Sequence, residues 1–186
     1  LCEEVIKLAS EALTERSAAL AAKVAPLDSE IDQKERTIES MCLKLLLQQQ
    51  PVAKDLRQIS AALKMITDME RIGDQAEDIA EIISFLDGRP AENDDLMREM
   101  AKATIKMVTE SVDAYVKHDI MLAEKVVAYD DTVDDYFDQV KRRLITKIAE
   151  EPADGEYALD LLMIAKYFER IGDHATNLEE AALSRV

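Results

Sequence analysis

Glu70, Asp74 and Asp78 recur four residues apart, which on an α-helix puts their carboxylates in one row, a turn between each. Like charges in a row repel, and the arrangement is favourable only where cations intervene. Converging carboxylates ligate hard cations through oxygen, several acids sharing or bridging the ions. The same spacing returns in Glu169 and Asp173, with Asn177 where a third acid would stand, and in two further pairs, Asp28 with Asp32 and Asp130 with Asp134. A lone acidic pair is ordinarily a solvated helix face. Recurrence of the same pair types in both halves of the chain points instead to metal binding. On residue type alone iron, manganese, magnesium, calcium and zinc all qualify.

The residues around these acids set the context. Ala62, Ile66, Met69, Gly73, Ala76, Ala80 and Ile83 form an apolar stripe at helical spacing, so Glu70, Asp74 and Asp78 are expected to edge the core without entering it. Gly73 and Gly172 occupy one repeated mid-helix position, although glycine there costs about 1 kcal/mol relative to alanine. A close approach is implied, by a packed helix first and by a ligand second. Arg71 and Arg170 are expected to make surface ion pairs. His174 follows Asp173 but points about 100° away, so packing is favoured over ligation. No Glu-x-x-His occurs, which argues against a ferritin-type di-iron site.

Long helices must carry these groups. Pro26, Pro51, Gly88 with Pro90, and Pro152 with Gly155 punctuate otherwise periodic sequence. The pattern predicts helices over Leu1–Ala25 with a break near Ser17, then Asp28–Gln50, Val52–Leu86, Asp94–His118, Asp119–Glu150 and Gly155–Ser184. Ser17 and Asp119 are predicted N-caps. The chain is also internally repeated. The segment from Ser17 to Asp32 aligns on that from Asp119 to Asp134 without gaps, and Glu70-Arg71-Ile72-Gly73-Asp74 recurs as Glu169-Arg170-Ile171-Gly172-Asp173. Two copies of a three-helix unit follow, meeting near Gly88 to Asn93. If the second and third helices of each unit pair antiparallel, the acids of each half converge.

Composition excludes several functions. The 39 acidic residues against 23 Lys and Arg give a net charge of −16, the wrong field for a nucleic-acid binder. Hydrophobic residues at 48% of 186 are enough for a sizeable core, and 4% aromatics with four glycines and four prolines is a helix former's composition. Cys2 and Cys42 lack ligand spacing and are expected to be buried free thiols. The eight methionines are expected mostly as core filler. Neither a nucleophile elbow nor a phosphate-cradling glycine loop is present, so catalysis is unmotivated. No apolar run is long enough to span a membrane and no signal peptide is visible, so a cytoplasmic protein is expected. The start at Leu1 rather than Met is expected to reflect a trimmed N-terminus.

The two Glu-Arg-Ile-Gly-Asp strings, together with Gln50-Pro51-Val52-Ala53-Lys54-Asp55-Leu56-Arg57, resemble the PhoU family of phosphate-transport regulators over essentially the whole chain. The resemblance implies an all-α fold of two pseudo-symmetric three-helix bundles, here residues 1–87 and 94–186. It implies metal clusters held by the repeated motifs, which in this chain are Asp28, Asp32, Glu70, Asp74 and Asp78, then Asp130, Asp134, Glu169 and Asp173. Iron comes first among the metals, with zinc, manganese, magnesium or calcium as alternatives. Asn177 in place of an acid implies a weaker or smaller second site.

The implied role is regulatory rather than enzymatic: repression of phosphate uptake and phosphate-starvation signalling, with the ATPase of the phosphate ABC transporter and a sensor histidine kinase as partners. Membrane association is then peripheral, through those partners only. Long amphipathic helices are compatible with a homodimer without requiring one. Clustered carboxylates also hold ions that activate water, so a metal-dependent phosphohydrolase or a metal-storage protein is the competing reading. A third is an interaction scaffold whose acids are inert surface charge.

Overall fold

A computed structural model describes residues 1–49, 52–86 and 95–183, all helix apart from short turns. The elements are α1 (Cys2–Glu15), α2 (Ala18–Ala21), α3 (Val24–Gln49), α4 (Ala53–Phe85), α5 (Asp95–Lys117), α6 (Ile120–Glu150), a 3-10 turn at Pro152–Asp154, and α7 (Gly155–Leu183). Six long helices in two sets of three make the all-α fold that the sequence predicts. The breaks expected at Pro51 and at Gly88 with Pro90, the helix ends at Gln50, Asp94 and Ser184, and the junction near Gly88 to Asn93 lie outside the described residues.

Both halves use one turn between their first and second helices. Arg16 and His118 take the left-handed conformation, at φ 50° and 55°. The next amide reaches back to close the helix, Ser17 N–H to Ala12 C=O at 3.0 Å and Asp119 N–H to Ala114 C=O at 3.0 Å. Those residues then cap the following helix: the Ser17 hydroxyl accepts from Leu20 N–H at 3.2 Å and the Asp119 carboxylate from Leu122 N–H at 3.0 Å. Both predicted N-caps are therefore present.

After the cap the halves diverge. α6 runs unbroken, whereas its counterpart stops after the four residues of α2 and restarts at Val24. Pro26 explains this, because a continuous helix would need its missing N–H to bond Ala22 C=O, and the ring would collide with that carbonyl. The expected helix to Ala25 and restart at Asp28 are thus corrected. Pro26 lies inside the first turn of α3, where an absent N–H leaves nothing unpaired.

α4 and α7 cross antiparallel at the centre of the molecule, joining the halves. α3 packs on α4 and α6 on α7 as outer helices, while α1 and α5 meet each other and cover the central pair. One core runs through both halves, with Ile72, Ile79, Met100, Met107, Ile164, Phe168, Ile171 and Leu178 fully buried. The predicted stripe on α4 is only one of its buried faces. Asp68, Ile72, Gln75 and Ile79 are also buried because α7 covers a second side. Met97, Met100 and Met107 are buried, Met65 and Met69 pack against the core, and Met41, Met121 and Met163 are exposed. Cys2 and Cys42 are buried free thiols.

Candidate metal centre

In the first half, α3 and α4 bring five acids together. α3 supplies Asp28 and Asp32; α4 supplies Glu70, Asp74 and Glu77. One carboxylate oxygen from each of Asp28, Asp32 and Asp74 lies within 4.8 Å of the other two. Glu70, Asp74 and Asp78 are half-buried, edging the core as their offset from the apolar stripe requires. Asp28 is different: it is only 7% exposed, and its Oδ1 is buried without a hydrogen-bond partner.

Gly73 makes room for this carboxylate. A Cβ at that position would collide with Asp28 Oδ1 and come within 3.1 Å of Ile31 Cδ1. The close approach inferred at the glycine is therefore α3 packing on α4, and the atom approaching most closely belongs to the acid cluster. Burial pushes the Asp28 carboxyl up from 3.8 to about 7, reinforced by Glu77, then Asp32, Asp74 and Glu70. Glu70 is raised as well, by burial and then by Asp74, with Arg71 opposing.

Cations at the rim compensate part of this charge. Arg71 pairs with Asp74 at 2.9 Å and with Glu70 at 3.5 Å, and Arg36 pairs with Asp32 at 3.1 Å. None of these ion pairs reaches Asp28 Oδ1. A buried carboxylate that has one oxygen without a donor and lies beside two further carboxylates is what a hard cation completes, and the donor set is all oxygen. The residues present fit such an ion.

Glu77 was not singled out in the sequence, although the signal was available. It lies one turn beyond Gly73, on the face that α3 approaches, and its charge acts on Asp28 ahead of the other acids. Asp78 lies outside the converging trio. Its carboxyl is raised by burial, then by Asp74 and Glu81, and lowered by Arg170 on α7. Tyr167 of α7 is raised by burial and then by Asp78, which places this acid near the seam between the halves.

The second half repeats the plan on α6 and α7. Asp130 takes the place of Asp28 over Gly172, where a Cβ would lie 3.4 Å from Asp130 Oδ1. Its carboxyl rises from 3.8 to about 6 through burial, then Asp134, Asp173, Asp131 and Glu169. Asp134 and Asp173 are exposed. Lys166 is the main difference, since its ammonium bonds the Glu169 carboxylate and opposes the burial that raises Asp134.

His174 and Asn177 serve the seam. His174 Nδ1 lies 3.0 Å from Asp68 Oδ1, and Asn177 Nδ2 donates to the same oxygen at 3.2 Å. Asn177 is therefore engaged with α4 rather than leaving a gap in the second acid cluster.

Comparison with known proteins agrees with this architecture. The PhoU domain matches twice, over residues 1–83 and 97–182. The phosphate-specific transport system accessory protein PhoU homolog of Aquifex aeolicus is 40% identical over 174 residues, covering 91% of this chain and 77% of that protein. Its Pseudomonas aeruginosa namesake is 35% identical over 185 residues, covering 98% and 76%. The crystal structure of PhoU from Pseudomonas aeruginosa superposes with a TM-score of 0.94 at 34% identity, covering 99% of this chain and 89% of that one. The phosphate transport system regulatory protein PhoU from Streptococcus pneumoniae shares the fold, with a TM-score of 0.89 at 24% identity, covering 100% and 87%.

Proposed function

Because this chain belongs to the PhoU family, we propose that it is a metal-binding, non-enzymatic regulator of phosphate uptake that restrains the phosphate-starvation response. Its partners in this reading are the ATPase of the phosphate ABC transporter and a sensor histidine kinase at the cytoplasmic face of the membrane. Among the described residues no helix is long and apolar enough to cross a membrane, in keeping with attachment through partners. The units 1–87 and 94–186 act as paired repeats, each offering one carboxylate cluster. Iron is the first candidate ion, and zinc, manganese, magnesium and calcium share the oxygen chemistry.

The observation that carries the metal half of this reading is Asp28, whose buried Oδ1 has no donor and whose carboxylate converges with those of Asp32 and Asp74. Asp28, Asp32, Glu70 and Asp74 hold the ion in the first half; Asp130, Asp134, Glu169 and Asp173 are the corresponding set in the second. The ion supplies positive charge that neutralises mutually repelling acids, clamps α3 to α4, and fixes the face those helices present to a partner.

The test is co-purification with the transporter ATPase and the kinase, comparing the parent with a variant carrying Glu70→Gln, Asp74→Asn, Glu169→Gln and Asp173→Asn. Metal-dependent retention of partners by the parent alone is expected. Turnover of phosphate esters with added Mn2+ or Mg2+ contradicts the non-enzymatic reading and favours a hydrolase.

A further inference from the structure

We infer that the groove between α2 and α4 is a docking face for a basic helix of a protein partner. This rests on the regulator reading above and deepens it, by naming the surface through which the regulator acts.

The groove encloses about 480 Å3. Its floor is made of small side chains, Ala18 and Ala21 of α2, Ala22 and Ala25 just beyond, and Ala80 of α4. Its wall is acidic, with Glu77, Asp78 and Glu81 of α4 in succession and Ser84 at the end. The internal repeat explains the opening. Aligning Ser17 on Asp119 and Glu70 on Glu169 sets Ile120, Val127 and Glu179 at the positions of Ala18, Ala25 and Ala80, so one half has methyl groups where the other has bulk. Small residues let an incoming helix come close to the backbone, and the stretch from Glu77 to Ser84 is two helical turns, about 10 Å long.

Charge selects the occupant. Acids on other exposed faces pair within their own helix, Asp74 with Arg71, Asp95 with Arg98, Glu99 with Lys102 and Asp113 with Lys117. Among the described residues no ion pair reaches Glu77, Asp78 or Glu81, although Arg170 of α7 acts on Asp78 from a distance. Three carboxylates along two turns match Lys or Arg side chains spaced three or four residues apart on a docking helix. The same field repels nucleic acid, an anionic membrane and, at a net charge of −16, a second copy of this chain. Phe85 follows one turn beyond Glu81 and is 75% exposed, an aromatic placed to anchor the partner.

The experiment compares the parent with Glu81→Lys, which reverses charge on the wall, and with Ala18→Ile plus Ser84→Leu, which fills the groove and leaves the charge unchanged. The first probe is a synthetic amphipathic helix bearing Lys at every fourth position beside a row of Ala, titrated against alanine methyl signals. Shifts should concentrate at Ala18, Ala21, Ala22 and Ala25, and each variant should weaken binding by about tenfold or more. Shifts spread over the surface, or a filled variant that binds the peptide as the parent does, overturn the inference, because charge attraction alone is indifferent to filling.

The second probe is retention of the transporter ATPase and the kinase by the same three proteins. Loss of retention in the filled variant, with metal content unchanged, is the expected result. Unchanged retention overturns the groove inference and leaves the regulator reading standing. No retention by the parent contradicts the regulator reading, while the peptide titration still decides the groove. Self-association of the parent in sedimentation velocity that the filled variant lacks assigns the groove to a second copy and overturns the inference.

Discussion

Replacing Asp28 with asparagine should stabilise the metal-free protein at alkaline pH. An ionised Asp28 is disfavoured by the fold, because its carboxyl titrates at about 7 there against an ordinary 3.8. Between those values the folded state holds a proton that the unfolded chain has released, so stability falls as pH rises through this window and levels off above it. At about 1.4 kcal/mol per unit, the penalty on the folded state is on the order of 1.5 kcal/mol at pH 5 and 4 kcal/mol at pH 8. Asparagine has no such penalty and offers an amide donor to Asp32 and Asp74. The stability gap between variant and parent should thus widen by about 2–3 kcal/mol from pH 5 to pH 8.

Urea unfolding followed by circular dichroism, in chelator at both pH values, measures that gap. With saturating Mn2+ at pH 8 the order should reverse, since a native-state ligand stabilises only the protein that binds it. A gap independent of pH, or a variant less stable than the parent at pH 8 in chelator, refutes the reasoning.

The two helix glycines should behave differently. Gly172→Ala adds a Cβ at 3.4 Å from its nearest neighbours, an ordinary contact, so the helix should gain up to about 1 kcal/mol in a denaturant melt. Gly73→Ala drives its Cβ into Asp28 Oδ1, so it should show no such gain and weaken Mn2+ binding by about tenfold or more. Asp68→Ala leaves His174 and Asn177 without their shared acceptor across the seam and should destabilise the protein by about 1–3 kcal/mol in urea. The Cys2 thiol, 5% exposed and pushed up by burial to about 11, should react with a disulfide reagent at pH 8 far more slowly in the folded than in the unfolded protein.

Most of the fold was legible because local chemistry agreed with the repeat. Ser17 and Asp119 announced their turns through side chains that cap a helix, and each cap formed. Pro26 was read as a boundary between helices, when a proline at the start of a helix is tolerated and the break falls just before it. The second buried face of α4 was hidden because only tertiary packing on α7 reveals it.

At the site, the acids of α3 and α4 were visible through spacing, but burial was not. Nothing local distinguishes Asp28 from Asp32, yet only Asp28 lies over Gly73. Glu77 was passed over in favour of Asp78 because four-residue spacing from Asp74 was followed strictly. The better guide was Gly73, which marks the approaching helix and has Glu77 one turn away. Asn177 was read as a lost ligand, whereas the seam between the halves claims it.

The most direct test of metal binding at the carboxylate clusters is elemental analysis of protein purified without an affinity metal. The parent is compared with the variant carrying Glu70→Gln, Asp74→Asn, Glu169→Gln and Asp173→Asn. Stoichiometric iron, zinc or manganese in the parent and none in the variant is the predicted result. Equal metal in both, or none in the parent with no rise in melting temperature when ions are added, contradicts it.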